Sequence, residues 1–416
     1  EPMANLLYLV HRLPYPPNKG DKVRSYHLLR HLLQRHRVFL GTFIDDPDDE
    51  QHLPTLRAMC PDLHVERIVP RTAKLKSLSG LLTGEALTLA YYRNEGMQRW
   101  VQDVASKHAL QASVVFSSAM AQYAQPLAPQ VPMLVDFVDV DSAKWTQYAP
   151  AHRWPLSMLY RREGQRLLAY ERSVAAQAHR SYFVTPNETA LFVSQAPECR
   201  DKVQSLSNGV DADFFAPDPQ RPSPFPAGEQ AVVFTGAMDY WPNIDGVSWF
   251  VADMLPRLRV HWPRARFYIV GRSPSAQVLA LAGEHVVVTG TVPDVRPYLQ
   301  HAAAVVAPLR VARGIQNKIL EAMAMQQAVI TVNSCADAIG ASAGQGLLRA
   351  ETPEAFVQAL QPLLDPPNHA VELGVRARAY VEQGFSWQAH LSGIDHDLGS
   401  LQGAVNPSPR ETAVHV

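Results

Sequence analysis

Lys318 and Glu321 form the first candidate functional pair in this 416-residue sequence. They lie three residues apart in the stretch ARGIQNKILEAMAMQQAVITVN (312–333), whose apolar members, such as Ile319 and Met323, have helical spacing. On a helix the lysine and the glutamate would share one face near the first turn. The lysine could attract phosphate, and the carboxylate could accept two hydrogen bonds from a diol such as ribose. The pair is typical of a nucleotide-sugar site; the alternative is an ordinary surface ion pair.

Positive charge and free backbone amides precede this pair. The strand-like run AAVVAP (303–308) leads into a loop with Arg310 and Arg313, where Gly314 allows the backbone to approach a ligand. The first amides of a helix have no intrahelical partner, so they can donate hydrogen bonds to phosphate. We therefore predict that this turn and the start of the helix bind a diphosphate. The residues at the start of the helix are Ile315, Gln316 and Asn317.

The composition describes a globular chain long enough for two cores. Apolar residues make up 47% and charged residues 19% of the chain, and the formal net charge is −1, which argues against extensive nucleic-acid binding. Residues 1–205 carry a net charge of +4 and the remainder −5. Scattered Cys60, Cys199 and Cys335 predict neither a disulfide framework nor a zinc site. With no signal-peptide pattern and no apolar run near the ~20 residues of a membrane span, we expect a cytoplasmic protein that is soluble or surface-bound.

Short apolar or β-branched runs alternate with helical patterns along the chain. These runs are 6–10, 37–43, 63–69, 113–117, 132–138, 181–185, 202–207, 231–236, 265–271, 285–290, 303–308, 328–332 and 346–350. The alternation predicts an α/β protein with parallel sheets covered by helices. We predict two tandem doubly wound (Rossmann-like) domains whose strand ends face a central cleft, the usual place for ligands in such folds.

The proline-rich stretch DPQRPSPFPAGEQ, which begins at residue 218, divides the two series of strands. We expect an N-terminal, acceptor-side domain over 1–217, a linker over 218–229 and a nucleotide-sugar-binding domain over 230–375. A helix over 376–402 is expected to pack back toward the first domain, followed by a disordered tail over 403–416.

Three motifs of the sequence resemble family-4 retaining glycosyltransferases of the GT-B fold. The pattern G-x-x-x-K-x-x-E-A-M-A that starts at Gly314 is similar to their donor-site motif. SNGVDADFFAP (207–217) resembles the segment that closes their first domain, and VGRSP (270–274) with VTGTVPDVRPYLQHAAAVVAP (288–308) resembles their nucleobase-side loop and next helix. The wider pattern, with HRLPYPPNKGDKVRSYHLL, VDVDSAKW and FTGAMDYWPNIDG, is similar to the sugar transferases of exosortase-linked (PEP-CTERM) exopolysaccharide systems.

The resemblance implies transfer of a sugar from a nucleotide-diphosphate donor, with retention of configuration and usually without a metal. It implies no tightly bound cofactor, because the nucleotide sugar is a substrate. The acceptor would be a saccharide, free or lipid-linked, in exopolysaccharide or other cell-envelope glycan synthesis, and the protein would contact the inner membrane peripherally. Besides Lys318 and Glu321, the expected donor contacts are Gly236, Met238, Arg272, Val292, Arg310, Arg313, Gly314, Ile315, Gln316 and Asn317.

The sequence departs from the family pattern at three places. Many members carry a glutamate eight residues before the one at Glu321, where this chain has Arg313. The turn that opens the second domain has Asn243 near the usual lysine. No histidine follows the strand SVVFSS, where the family has an acceptor-side one. These departures leave recognition of the donor sugar and the source of positive charge open.

The expected acceptor side lies in the first half. Two strands end in candidate polar groups, Ser117 and Ser118 after one strand and Asp139 and Asp141 after another. Asp139 is our candidate for acceptor recognition and completes the predicted catalytic set. Together, Asp136, Asp139 and Asp141 could bind an acceptor hydroxyl, a metal or neither, and a metal is the least favoured of these. The alternative for Asp141 or Ser142 is that it only begins a helix. The loop residues Lys19, Gly20 and Lys22 could touch a diphosphate or form an ordinary solvated loop.

Two stretches, 71–93 and 144–162, mix Lys and Arg with leucine, tyrosine and tryptophan. This mixture suits the face of an anionic bilayer, but it is also common where helices cover a sheet, and such packing is the slightly favoured interpretation. Two other functions remain open beside the transferase. One is a nucleotide-sugar epimerase of the same fold, and the other is a non-catalytic scaffold subunit of a polysaccharide assembly.

Overall fold

The computed structural model describes residues 4–18, 20–312, 315–365 and 367–405. The chain divides into two compact units. Unit 1 runs to Asn208 and resumes at Leu391, and unit 2 comprises Gly209–His390.

Unit 1 is built on a seven-stranded sheet in the order β3-β2-β1-β4-β5-β6-β7, in which all the paired strands are parallel. The strands are β1 (Asn5–Val10), β2 (Arg37–Ile44), β3 (Leu63–Arg67), β4 (Ala112–Phe116), β5 (Met133–Val138), β6 (Arg180–Phe183) and β7 (Val203–Ser205). The central strands are almost continuously buried and apolar, because helices cover both faces of the sheet. The chain order reverses between β1 and β4, so their carboxyl ends form the switch point where ligands usually bind.

In the described part of unit 1, ten helices lie between these strands. They are α1 (Gly20–Leu33), α2 (Leu53–Met59), α3 (Pro70–Ser77), α4 (Gly80–Thr83), α5 (Leu87–Tyr91), α6 (Glu95–Lys107), α7 (Ala121–Ala124), α8 (Asp141–Tyr148), α9 (Leu156–Gln177) and α10 (Pro186–Gln195). Short 3-10 turns lie at Pro47–His52, Ser118–Met120, Gln125–Leu127, Ala149–Ala151 and Pro197–Lys202.

Unit 2 contains a six-stranded parallel sheet in the order β10-β9-β8-β11-β12-β13. Its strands are β8 (Gln230–Thr235), β9 (Ala265–Val270), β10 (Val286–Gly290), β11 (Ala304–Ala307), β12 (Val329–Thr331) and β13 (Leu347–Arg349). Its helices are α11 (Trp241–Trp249), α12 (Leu255–His261), α13 (Ala276–Leu279), α14 (Arg296–Gln300), α15 (Asn317–Ala324), α16 (Asn333–Ile339), α17 (Pro353–Leu364) and α18 (Pro367–Gly384). A π-helical segment, Phe250–Met254, joins α11 to α12, and a 3-10 turn lies at Ala343–Gln345.

The last helix, α19 (Trp387–Val405), begins in unit 2 and continues in unit 1. In unit 1, Asp397 accepts a hydrogen bond from the Tyr182 hydroxyl at 2.5 Å, and Asp395 Oδ2 lies 2.9 Å from His31 Nε2. Of the segment 376–402 that was expected to pack toward the first domain, residues from Leu391 onward belong to unit 1. Residues 376–390 belong to unit 2.

The predicted fold of two parallel, doubly wound α/β domains is confirmed, and each predicted apolar run overlaps one of the strands. The apolar runs identify the strands because both faces of each sheet are covered. The helical pattern expected over 370–402 is interrupted, since α18 ends at Gly384 and α19 starts at Trp387. Residues 403–405, expected in the tail, are helical, and residues 406–416 lie outside the described part of the chain.

The stretch expected as a linker, 218–229, lies along the surface of unit 2. Asp218 and Gln300 exchange hydrogen bonds, with N to Oε1 at 3.1 Å and Nε2 to O at 2.7 Å. The ring of Phe225 packs 4.7 Å from that of Tyr268. These contacts make the segment part of unit 2.

Candidate functional site

Two glycines at strand ends shape the site in unit 2. Gly236 follows β8 with φ of +149°, and a Cβ there would lie 2.7 Å from Asn243 Nδ2 and 2.9 Å from Lys318 Nζ. Gly271 follows β9, and a Cβ there would lie only 1.6 Å from the carbonyl oxygen of Gly236. Neither position has room for a side chain, so the two turns pack backbone against backbone and bring Lys318 close to Gly236.

Lys318 lies in the first turn of α15, which begins at Asn317 after Gln316 in the N-cap position. Its ammonium group donates a hydrogen bond to the side-chain oxygen of Asn243 and lies 4.9 Å from the ring centre of Phe234. Asn243 is buried, and its amide donates to the carbonyl of Ala237 at 2.8 Å. Asn243 therefore fixes the lysine against the turn that follows β8.

Glu321 lies one turn further along α15 and is partly buried. Burial raises the pKa of Glu321 to about 7, and the positive charge of Lys318 opposes that rise. Burial lowers the pKa of Lys318 to about 8, against the favourable charge of Glu321. Both groups thus change protonation near neutral pH, which is uncommon for surface ion pairs and typical of ligand sites.

The remaining donor-side residues have different surroundings. Met238 is fully buried, and its backbone N–H donates to the carbonyl of Arg272 at 2.9 Å, while the Arg272 side chain is exposed. Val292 is half-buried against the core of unit 2, and Ile315 is exposed. The carbonyl of Met238 also accepts a hydrogen bond from Ser275 N at 3.0 Å, so both of its backbone groups already have partners, and its contact with the donor stays a prediction.

Arg310 already has a partner in this structure. Its guanidinium forms two hydrogen bonds to Asp245, with Nε to Oδ2 at 3.0 Å and Nη2 to Oδ1 at 3.1 Å, and it stacks over the Trp249 ring at 4.8 Å. A diphosphate would have to share or displace this carboxylate. The predicted contacts Arg313 and Gly314 lie outside the described residues.

In unit 1, the predicted acceptor-side residues follow neighbouring strands. Ser117 and Ser118 follow β4, Asp139 and Asp141 follow β5, and the two strands pair directly. The ammonium of Lys144 bridges the two aspartates, at 3.0 Å from Asp139 Oδ2 and 3.2 Å from Asp141 Oδ1. Burial raises the pKa of Asp141. The structure thus places these aspartates in one group, with a cation that the sequence analysis did not single out.

Asp136 is separate from this group and has a structural role. Arg24 forms a buried, bidentate ion pair with it at 2.7 and 3.0 Å, and the same guanidinium donates to the carbonyl of Leu206 at 2.6 Å. The pair joins α1, β5 and the end of β7. A role for Asp136 in acceptor binding would break this network.

Lys22 is buried in α1, and its ammonium lies 3.0 Å from both carboxylate oxygens of Asp49. Gly20 begins the same helix, and Lys19 lies outside the described residues. Lys22, which was expected in a loop, is therefore a helical residue whose ammonium is already paired with the buried carboxylate of Asp49.

His11 is a residue of this region that the sequence analysis missed. It follows β1, its Nδ1 lies 3.5 Å from the Ser117 hydroxyl, and its Nε2 lies 3.6 Å from Asp21. Its ring also packs against Phe116 and Tyr92. Its place directly after the first strand, at the switch point between β1 and β4, is the signal that could have identified it.

The described residues contain no group of three or more His, Cys, Asp or Glu side chains arranged to hold a metal ion. Nor does any helix in that part of the chain have the length and apolar character needed to cross a membrane.

Comparisons with known proteins agree with the fold. Residues 229–366 match the family glycosyl transferases group 1. No curated protein matches the sequence. Among solved structures, Anabaena Alr3699/HepE in complex with UDP has a TM-score of 0.59 at 15% identity, covering 96% of this chain and 100% of that one.

Two further structures show the same architecture. Sucrose-phosphate synthase from Thermosynechococcus elongatus has a TM-score of 0.57 at 16% identity, with 96% of this chain and 100% of that chain covered. WaaG, a glycosyltransferase involved in lipopolysaccharide biosynthesis, has a TM-score of 0.53 at 16% identity, with coverage of 95% and 100%. The chain therefore has the GT-B fold, and residues 229–366 match the glycosyl transferases group 1 family.

Proposed function

We propose that the protein is a glycosyltransferase that moves a sugar from a nucleotide-diphosphate donor to a saccharide acceptor with retention of configuration. The observation that carries the proposal is the group of Lys318, Asn243 and Gly236 in the glycosyl transferases group 1 domain. It places a fixed cation beside a backbone turn that no side chain obstructs.

The donor would bind to unit 2. Lys318 and the free amides at the start of α15 would neutralise the diphosphate, and the Glu321 carboxylate would accept hydrogen bonds from the ribose hydroxyls. The structures of Anabaena Alr3699/HepE in complex with UDP and with UDP-glucose support this choice of ligand.

The reaction would break the bond between the anomeric carbon and the diphosphate oxygen. The acceptor hydroxyl would form the new bond from the same face of the sugar and pass its proton to the departing phosphate oxygen. Negative charge grows on that oxygen as the bond breaks, so a positioned Lys318 would stabilise the transition state more than the ground state. We assign Lys318 this electrostatic role and Glu321 the binding of the donor.

The acceptor would bind to unit 1 at the ends of β4 and β5. Asp139 is the candidate for hydrogen bonding to the acceptor, with Asp141 and Lys144 beside it and Ser117 nearby. We propose a saccharide acceptor, free or lipid-linked, in exopolysaccharide or other cell-envelope glycan synthesis.

We also propose peripheral contact with the cytoplasmic face of the inner membrane. On α3 and α4, Leu75 and Leu82 are 72% and 93% exposed, and Arg71, Lys74 and Lys76 are exposed near them. Leucines in this exposed setting suit the interface of an anionic bilayer better than packing against the sheet.

The test is a thermal-shift screen of UDP-, GDP- and ADP-sugars, followed by NMR of the product formed with saccharide acceptors. A bound donor at about 100 times its Kd should stabilise the fold by about 2.7 kcal/mol. The Lys318→Met variant should lose this shift, while Lys107→Met, a matched change of an exposed lysine on α6, should keep it. Turnover of the donor sugar without acceptor would instead indicate an epimerase, and binding without any turnover a scaffold protein.

A further inference from the structure

A cavity of about 320 Å³ lies in unit 1, apart from the strand-end residues described above. One wall is formed by α3 and α5, through Ser77, Leu87 and Tyr91, and the opposite wall by α8 and α9. A small apolar cluster that includes Leu89 and Leu167 packs beside it. The cavity brings together the two stretches, 71–93 and 144–162, that mix basic and apolar residues.

The wall from α8 and α9 is largely aromatic and aliphatic. Trp145, Leu159 and Tyr160 line it, and the rings of Trp145 and Tyr160 lie 5.2 Å apart. All three side chains are partly exposed, although many apolar side chains of this unit are fully buried. The cavity is therefore accessible from solvent and offers apolar surface to a ligand.

Two charged residues line the cavity, Lys74 and Glu163. The carboxylate of Glu163 is buried and accepts hydrogen bonds from the Leu87 and Thr88 amides and the Thr88 hydroxyl at 2.7, 3.1 and 2.8 Å. The backbone amides at the start of α5 therefore stabilise the negative charge of Glu163. Lys74 is exposed, so the ammonium is the charge that a ligand would meet.

Two of the lining residues lie next to residues that contact the strand-end group. Tyr91, which lines it, packs 4.9 Å from Tyr92, whose ring lies 5.9 Å from that of His11. Trp145 directly follows Lys144, which holds Asp139. The cavity and the residues proposed to bind the acceptor therefore share neighbouring side chains in unit 1.

We propose that this cavity binds the hydrocarbon chain of a phosphate-bearing lipid, with Lys74 pairing with the phosphate. The inference rests on the proposed function in one respect, since it identifies that lipid as the carrier of the acceptor saccharide. A volume of about 320 Å³ is at the small end of ligand pockets, which suits a segment of chain better than a nucleotide sugar. Exposed Leu78 and Met158, each next to a lining residue in the chain, would continue the apolar surface.

The test measures binding of monomeric decyl phosphate to the full chain by calorimetry, below the concentration at which it forms micelles. Inorganic phosphate measures the contribution of the phosphate group alone, and decanol measures that of the alkyl chain. We expect decyl phosphate to bind at least about tenfold more tightly than inorganic phosphate, because the chain leaves water. Equal affinities would overturn the proposal, as would binding to phosphatidylglycerol vesicles without binding to the monomer.

Paired variants test the location. Leu159→Asp, which places a carboxylate in the cavity, should weaken decyl phosphate binding by about tenfold or more, whereas Leu82→Asp, the same change outside it, should not. Lys74→Gln should weaken decyl phosphate binding about fivefold and leave decanol unchanged, with Lys107→Gln as its control. Loss of affinity in both leucine variants alike would contradict the cavity assignment.

A readout that needs no disruptive variant is quenching of tryptophan fluorescence by 10-bromodecyl phosphate. Quenching in the parent and its reduction in Trp145→Phe, at unchanged affinity, would support the cavity; unchanged quenching in that variant would place the chain elsewhere. A thermal-shift measurement with nucleotide sugar on the same preparation distinguishes failure of the proposed donor site from failure of the proposed lipid cavity. A shift without decyl phosphate binding rejects only the cavity, and the reverse result rejects only the donor site.

Discussion

The ammonium group of Lys318 donates a hydrogen bond to the side-chain oxygen of Asn243, whose own amide is held by the carbonyl of Ala237. The lysine is thus aimed at the turn after β8 by a neutral amide that would not compete with a phosphate for its charge. This contact and the shifted pKa values of Lys318 and Glu321 define what can be tested first.

We expect Asn243→Ala to weaken donor binding while the fold remains intact. The lysine would lose a buried partner, which costs about 1–2 kcal/mol, or roughly 5–30-fold in Kd. Titration of the best nucleotide sugar by calorimetry measures it, with Asn187→Ala, an exposed asparagine of unit 1, as the control. An unchanged Kd would show that Asn243 does not position the lysine.

Glu321→Gln should bind the donor less well and yet be more stable without it. Because burial raises the pKa of this carboxyl to about 7, its ionisation costs the folded state stability, and this cost develops as pH rises from about 4.5 to 7. Removing the charge should raise the free energy of unfolding at pH 8 by about 1–2 kcal/mol, since the pKa of about 7 already includes the attraction to Lys318 and solvent screens the partly exposed side chain. Urea unfolding checks this. A less stable variant would mean that the pair contributes more to folding than to binding.

Donor affinity should be greatest between about pH 7 and pH 8. Below pH 7 Glu321, with a pKa of about 7, becomes protonated and accepts fewer hydrogen bonds from a ribose. Above pH 8 Lys318, with a pKa of about 8, loses its charge and no longer attracts the diphosphate. UDP-glucose is a suitable probe, because its diphosphate is esterified at both ends and stays ionised throughout.

Two variants test which residue causes the loss of donor affinity on the acidic side and on the alkaline side of this pH range. Glu321→Gln should remove the acidic limb and Lys318→Met the alkaline one, each at lower affinity overall. A profile that is flat from pH 6 to 9 in the parent would reject the binding roles of both residues.

Glu171 on α9 provides a test of stability that is independent of the donor. It is fully buried against Ser142 at the start of α8, and burial raises its pKa to about 8. Its contribution to stability is complete below about pH 4.5 and is lost as pH rises through 8. Glu171→Gln should therefore flatten the fall in unfolding free energy between pH 6 and 9, by about 1–2 kcal/mol.

The control for Glu171 is Glu198→Gln, because that carboxylate is exposed and paired with Arg172. It should leave the slope of stability against pH unchanged. An equal effect of the two substitutions would show that Glu171 is ionised in the folded protein at neutral pH.

Membrane contact should depend on α3 and α4. The triple change Arg71→Glu, Lys74→Glu and Lys76→Glu should reduce co-sedimentation with phosphatidylglycerol vesicles, since each cation near an anionic surface contributes about 1 kcal/mol. High salt should reduce binding of the parent in the same way. Arg93, the last residue of the basic and apolar stretch 71–93, is left unchanged because its Nη1 forms an ion pair with Glu85 Oε1 at 2.6 Å. If neither salt nor the triple change alters co-sedimentation, the helices do not form a membrane-binding surface.

The sequence predicted the strands well because strands covered on both faces must be apolar along most of their length. Runs such as LLYLV and AVVFT therefore coincide with β1 and β8. It also placed Lys318 and Glu321 at the start of a helix after a strand, which depends only on local spacing.

What the sequence could not predict are the partners of charged groups that are distant along the chain. Lys22 is held by Asp49 and Arg310 by Asp245, and neither pair has a local pattern. The same limit hid His11, because its proximity to Ser117 follows from the pairing of β1 with β4. Burial of the Glu321 carboxyl, which sets its pKa, likewise depends on tertiary packing.

The course of α19 has a consequence for how the chain can be divided. Because unit 1 resumes at Leu391, unit 2 is inserted into the sequence of unit 1, and unit 1 precedes and follows it along the chain. A fragment over 209–390 retains every strand of its sheet and should be expressible by itself. A fragment that stops at residue 208 would lack Asp395 and Asp397, which contact His31 and Tyr182, and would need the final helix supplied in trans.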